Sequence, residues 1–115
     1  MIEGQVSMDA WLRSLQRTSA NVLALCVMVH LVVMIYAVNG GLSAAEIMDR
    51  TQGNWAFLAF YLVFALACAV HAPIGLLNIV KDWFGWSGTK TYCAALAIGI
   101  AMGLTGVRTA LVVFV

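Results

Sequence analysis

The sequence predicts an all-α membrane protein with three transmembrane helices and a cytoplasmic N-terminus. Three observations predict it. The first is composition: 63% of the 115 residues are apolar, only 10% are charged, and the mean hydropathy is +0.97. Soluble domains carry about 45–50% apolar and about 25% charged residues, so a core of this size cannot hide the apolar side chains and so little charge cannot coat a wetted surface. That excludes a soluble enzyme and a disordered tail. A net charge of +1 with six scattered Lys and Arg leaves no basic patch for nucleic acid. The second is the presence of three long apolar stretches, Ser19 to about Val38, Trp55 to about Val80 and Tyr92 to Val115. A bilayer core of about 30 Å needs roughly 20 helical residues. Only a helix satisfies its backbone in lipid without a partner strand. The third is charge asymmetry. Arg13, Arg17, Lys81 and Lys90 lie on one side of the spans, and Arg50 alone lies in the first loop. The positive-inside rule then places the N-terminus in the cytoplasm.

The elements follow in order. Residues 1–18 read as a cytoplasmic arm in which Trp11, Leu12 and Leu15 share one helical face, a short interfacial segment. Residues 19–115 form the three-helix domain, with spans near 19–38, 55–80 and 92–115. Glu3 and Asp9 stand where a signal peptide would be basic, and the first apolar run exceeds a signal core. No mitochondrial presequence is visible, which points to a bacterial inner (cytoplasmic) membrane. Asn39-Gly40-Gly41 ends the first helix, and Ser43 with Glu46 forms a capping box for a short turn carrying Leu42 and Ile47. Cys26, Cys68 and Cys93 are odd in number, far apart and set in apolar runs. They are read as packing residues rather than a disulfide or zinc framework.

Three ionisable residues fall inside the spans: His30, His71 and Arg108. Such groups are costly in lipid and are functional candidates by default. His30 lies about 20 Å of helical rise from Arg17 and about 13 Å from Asn39, and His71 about 15 Å from Lys81. Each imidazole alone suits an interhelical hydrogen bond. Two in one small chain favour axial ligation of haem iron in a dry helix bundle. Gly75 lies one turn beyond His71 on the same face, where it lets a flat macrocycle approach or two helices pack. Pro73 removes a backbone bond and favours a bend. Ala95, Gly99 and Gly103, with Gly106 nearby, form a small-residue stripe read as tight helix contact. For Arg108 two readings stand: snorkelling to the outer interface, or pairing with a haem propionate near the depth of His30.

The segment His71-Ala-Pro-Ile-Gly-Leu-Leu-Asn-Ile-Val-Lys-Asp-Trp83 resembles the His-x-x-x-Gly…Asp-Tyr segment of the cytochrome b-type membrane anchors of succinate dehydrogenase and fumarate reductase. Arg17-Thr18-Ser19 is similar to the family's Arg-x-Ser-Gly at the mouth of the first helix. The resemblance implies that His71 ligates a b-type haem and that His30 corresponds to the extra ligand of two-haem members. It implies a quinone near Arg17 and Ser19, with Asp82 and Trp83 opposite. It also implies an iron–sulfur subunit and a flavoprotein subunit on the cytoplasmic face, which carry out the dicarboxylate chemistry. Three positions depart from the pattern: Leu77 where an Arg is frequent, Trp83 for the Tyr, and Ala20 for the Gly. An indole N–H donates a hydrogen bond but does not titrate.

Adjacent hairpin helices pack about 8–10 Å apart, too close for two imidazoles with an iron between them. Each His is therefore expected to find its trans ligand on a second membrane anchor chain, different or identical, so that one or two haems are shared in a multi-subunit helix bundle. The alternatives in other classes are a haem-free structural anchor and a small transporter subunit. The latter wants polar residues along a face of each helix.

Overall fold

The computed structural model describes residues 2–115, save the side chain of Gln5. Four helices account for nearly all of it: α1 (Ile2–Gly40), α2 (Ala44–Thr51), α3 (Trp55–Phe84) and α4 (Thr89–Phe114). The molecule is an elongated bundle of 54 × 24 × 22 Å, and α1, α3 and α4 are each long and apolar enough to span a bilayer.

The arm and the first span are one helix. At about 1.5 Å per residue, the 39 residues of α1 extend about 58 Å, well beyond the hydrocarbon thickness. From Gln5 to Asn39 the sequence contains no Pro or Gly, and Met8, Ala10, Leu12, Arg13, Leu15, Gln16 and Arg17 are good helix formers. Nothing breaks the rod between the amphipathic segment and the span, so the short interfacial segment expected in the arm is the first part of α1. Trp11 on this part is exposed, and Leu12 and Leu15 are half-buried. The helices α3 and α4 likewise run past their apolar stretches, α3 to Phe84 and α4 from Thr89.

The turns form as their residues require. Gly41 has φ +107°, and a Cβ there would collide with the Glu46 carboxylate. A left-handed residue carrying a side chain is unfavourable in any case. Arg50 Nη2 donates to the Gly41 carbonyl at 2.7 Å. Ser43 caps α2: its backbone N–H donates to Glu46 Oε2 at 2.9 Å, and the Glu46 N–H donates to Ser43 Oγ at 3.3 Å. The Ser43 hydroxyl also donates to Glu46 Oε2, at 2.6 Å; this bond first, and the Ser43 backbone N–H second, hold the Glu46 carboxyl below its ordinary pKa. The loop is tied to the end of α4. The buried Thr51 donates to the Val113 carbonyl at 2.8 Å, Gln52 Nε2 to the Val115 carbonyl at 2.7 Å, and the Gly53 N–H to the Phe114 carbonyl at 2.8 Å. At the other end, Gly85 (φ +66°) terminates α3.

Both α1 and α4 pack against α3 and scarcely touch each other. The α3–α4 seam is the tighter. A Cβ on Gly99 would lie 2.9 Å from the Ala69 carbonyl and 2.9 Å from Pro73 Cγ, and one on Gly106 would lie 2.6 Å from Ala65 Cβ. The glycine stripe is helix contact, as expected. The Pro73 ring fills the space that Gly99 leaves, and α3 continues through it. Cys26 is buried, Cys68 is half-buried and Cys93 is exposed; all three are free thiols. The packing role expected for the cysteines thus holds for Cys26 and not for Cys93, which faces outward from α4.

No large side chain is fully buried among the described residues, and Leu25, Val32, Ile35, Leu66 and Leu104 are more than half exposed. In a bilayer such surface meets lipid or another helix. The chain is a multi-pass membrane protein with most of its helical surface left for other molecules.

Candidate functional site

The antiparallel register of α1 on α3 decides which candidate residues meet. Near one end Lys81 Nζ lies 3.8 Å from Asp9 Oδ1. Further along, Ser19 Oγ lies 3.4 Å from His71 Nδ1. Near the other end His30 packs edge-on to Tyr61 and Phe64, with ring centroids 6.0 and 5.6 Å away. One residue of α1 therefore advances for each residue that α3 retreats.

His71 and His30 consequently sit at different depths. His71 is level with Ser19, and Ser19 to His30 is a rise of about 16 Å. They do not converge on a common point. His71 is half-buried in the α1–α3 seam. Its neighbour Ser19, 6% exposed, donates its hydroxyl proton to the Gln16 carbonyl at 3.1 Å. His71 Nε2 has no hydrogen-bond partner among the described residues and is not sealed inside the chain. Gly75 lies beneath Gln16: a Cβ there would approach Gln16 Nε2 to 3.3 Å. Its bare face lies under the end of this α1 side chain. Gln16 Oε1 is buried without a partner.

His30 opens onto a second region. With Tyr61, Phe64, Gly106, Thr109 and Val113 it lines an open-sided, mostly apolar groove of about 470 Å³. Arg108 lies beside this groove. Its own hollow shares Thr109 and Val113 with that of His30, and its neighbour Gly106 meets Ala65, next to Phe64. Arg108 is thus near the depth of His30, exposed, and without an ion pair among the described residues.

Arg17, Ser19, Asp82 and Trp83 are not brought together. Arg17 and Ser19 are two residues apart on one helix, and at about 100° per residue they point to nearly opposite sides. Ser19 turns inward to His71, and Arg17 is exposed. Asp82 belongs to the level of Asp9 and Lys81, about 13 Å along the axis from the level of Arg17. Trp83 is 81% exposed at the end of α3. No single quinone head group spans these positions.

Arg17 belongs instead to a polar stripe that the sequence reading missed. Arg13, Ser14, Arg17, Thr18 and Asn21, with Ala10, line a shallow hollow on the outside of α1. Their spacing of three and four residues was a visible signal of one helical face. The stripe ends at Asn21, so it enters one end of the span and does not cross it.

The donor set sorts the possible metals. No group of three or more His, Cys, Asp or Glu side chains converges among the described residues. A bare zinc ion needs three or four protein ligands. A lone imidazole with one free nitrogen suits a metal whose remaining positions are filled by a macrocycle.

Among curated proteins and among solved structures, none is significantly similar to this chain. The family described as succinate dehydrogenase/fumarate reductase transmembrane subunit matches residues 3–107, which takes in all four helices up to the last turns of α4. With three apolar helices and an imidazole at each of two depths, the chain belongs to the succinate dehydrogenase/fumarate reductase transmembrane subunit family, the membrane anchors of complex II.

Proposed function

We propose that this anchor subunit binds haem b and passes electrons between its soluble partners and a membrane quinone. The observation that carries the reading is His71: inside the span one ring nitrogen is engaged by Ser19 and the other is free. When bound, the haem supplies a one-electron store between the iron–sulfur subunit and the quinone. His71 Nε2 is the ligand this chain offers. His30, about 16 Å away along the helices, is the ligand for a second haem rather than for the same iron. A second anchor chain, different or identical, would supply the further ligand that each haem needs. Arg108, unpaired near the depth of His30, holds a carboxylate there by a charge-assisted hydrogen bond.

The quinone site is built on the polar stripe. Arg17 donates to a quinone carbonyl oxygen, flanked by the Ser14 and Thr18 hydroxyls, with the second anchor closing the hollow from outside. Asp82 and Trp83 stand at the water boundary with Asp9 and Lys81, where a carboxylate holds or passes a proton on its way to the quinone. The same end, by the Lys/Arg asymmetry the cytoplasmic one, carries the iron–sulfur and flavoprotein subunits. The reading sets the complex in a bacterial inner membrane, spanned by the three long apolar helices.

A haem-free anchor is the second reading, favoured by the same Ser19–His71 contact, which satisfies part of a half-buried imidazole without any metal. A transporter subunit is disfavoured because the polar stripe stops at Asn21. The test is a reduced-minus-oxidised absorption spectrum of the complex purified through this chain. The proposal expects an α-band that His71→Ala removes while the soluble subunits still co-purify. A featureless visible spectrum of the intact complex overturns it and leaves the haem-free anchor.

A further inference from the structure

We infer that Ser19 is a positioning residue for His71, holding its ring as the Nδ1–H tautomer so that the Nε2 lone pair faces outward. The argument is proton bookkeeping at one oxygen. Ser19 has a single hydroxyl proton and two acceptors within reach: the Gln16 carbonyl at 3.1 Å and His71 Nδ1 at 3.4 Å. The shorter contact, to the acceptor one turn back on the same helix, takes the proton. The Ser19 oxygen then meets His71 with lone pairs only, and the contact is a hydrogen bond only if Nδ1 carries the ring proton. A neutral imidazole has one N–H, so Nε2 is left as the acceptor. Water does not compete for Ser19, which is 6% exposed. Gln16 fixes the relay from the other side, because its backbone carbonyl belongs to α1 and its side chain is wedged over Gly75.

The relay from Nδ1–H to Ser19 to the Gln16 carbonyl does for His71 what outer partners do for metal-bound imidazoles: it sets tautomer and ring orientation and raises the basicity of the outward nitrogen. Its use as a ligand rests on the haem reading above; the tautomer itself does not. Ser19 thus acts on the ligand rather than on the quinone.

The experiment has two arms. The full chain, with His30→Phe to leave one imidazole, is labelled with nitrogen-15 at histidine and placed in lipid nanodiscs at a pH where the ring is neutral. The protonated nitrogen is expected to couple to Hε1 but only weakly to Hδ2, the pattern of Nδ1–H. Ser19→Ala is expected to shift the tautomer ratio toward Nε2–H about fivefold, the worth of one ordinary hydrogen bond, and Ser19→Thr to restore it. An Nε2–H tautomer in the parent chain, or no change in Ser19→Ala, overturns the proposal. The second arm is a redox titration of the haem-loaded complex. Ser19→Ala is expected to keep the α-band and raise its midpoint potential, because a less basic ligand favours the ferric state less. A threefold loss of ferric stabilisation corresponds to about 30 mV at 59 mV per tenfold. An unchanged potential overturns the relay's effect on the ligand, whereas a band that persists in His71→Ala overturns the haem reading and leaves the tautomer result standing.

Discussion

One helix, α3, carries two seams of opposite character. Toward α4 it presents Ala65, Ala69 and Pro73, and α4 answers with Gly99, Gly103 and Gly106. These contacts are made by small apolar groups and backbone, which approach until a single added methyl would collide. Toward α1 it presents His71 and Gly75, and α1 answers with Gln16 and Ser19, one of whose polar atoms, Gln16 Oε1, is buried and unpartnered. Close packing of small residues drives helix association in lipid, where the hydrophobic effect offers little. A buried unpaired polar atom opposes it. The comparison teaches that the α3–α4 seam is built for close helix contact, while the α1–α3 seam holds polar groups that close contact does not require.

Substitutions in the two seams are therefore expected to have opposite signs. The largest effect falls on the glycine seam. Gly99→Ala and Gly106→Ala each drive a methyl into Ala69 and Pro73 or into Ala65, and overpacking of this kind costs about 1–3 kcal/mol. Gly4→Ala, on the helix with nothing within 4 Å, is the control and is expected to be neutral or slightly stabilising. Reversible unfolding in mixed micelles measures all three, and equal stabilities would erase the distinction between the seams. Next comes Gln16→Leu, which removes the orphaned oxygen at similar volume. It is expected to leave stability unchanged or raise it by about 1 kcal/mol; a clear loss would show that the polar seam is structural after all.

A smaller effect lies outside both seams, in the capping box. Glu46 has a lowered folded-state pKa because Ser43 donates to its carboxylate. A depressed carboxyl pKa contributes stability above its unfolded value, which is lost as pH falls through the folded one. Hydrogen exchange of the α2 amides is expected to quicken as pH is lowered through that range, beyond the intrinsic pH dependence, and Glu46→Gln is expected to flatten the response. The smallest effect is that of Asp9→Asn. The Asp9–Lys81 pair is nearly half exposed at 3.8 Å, and pairs of this kind are worth about 1 kcal/mol or less. A larger loss would mean that the register of α1 on α3 depends on it.

Much of the architecture was legible in the residues. The apolar runs marked three spans, Ser43 and Glu46 marked the capping box, and four-residue spacing marked the glycine seam. Helical periodicity reports which face a residue occupies, and Arg17 and Ser19 were therefore separable in advance: two residues apart, they point to opposite sides. Periodicity does not report how far one helix slides along another. That offset, set by side-chain fit between α1 and α3, is what places Ser19 on His71, Gln16 over Gly75, and Asp82 a level away from Arg17. The length of α1 was hidden for a different reason: a change from amphipathic to apolar sequence marks where lipid begins, not where a helix does.

The central claim is that His71 and His30 serve separate groups at separate depths. Optical redox titration of the purified complex carrying His30→Phe tests it most directly. The account predicts that the α-band dependent on His71 survives this change and disappears only with His71→Ala. Loss of that band in a folded, fully assembled His30→Phe complex would mean that both rings hold one iron, and would contradict the register on which the account stands.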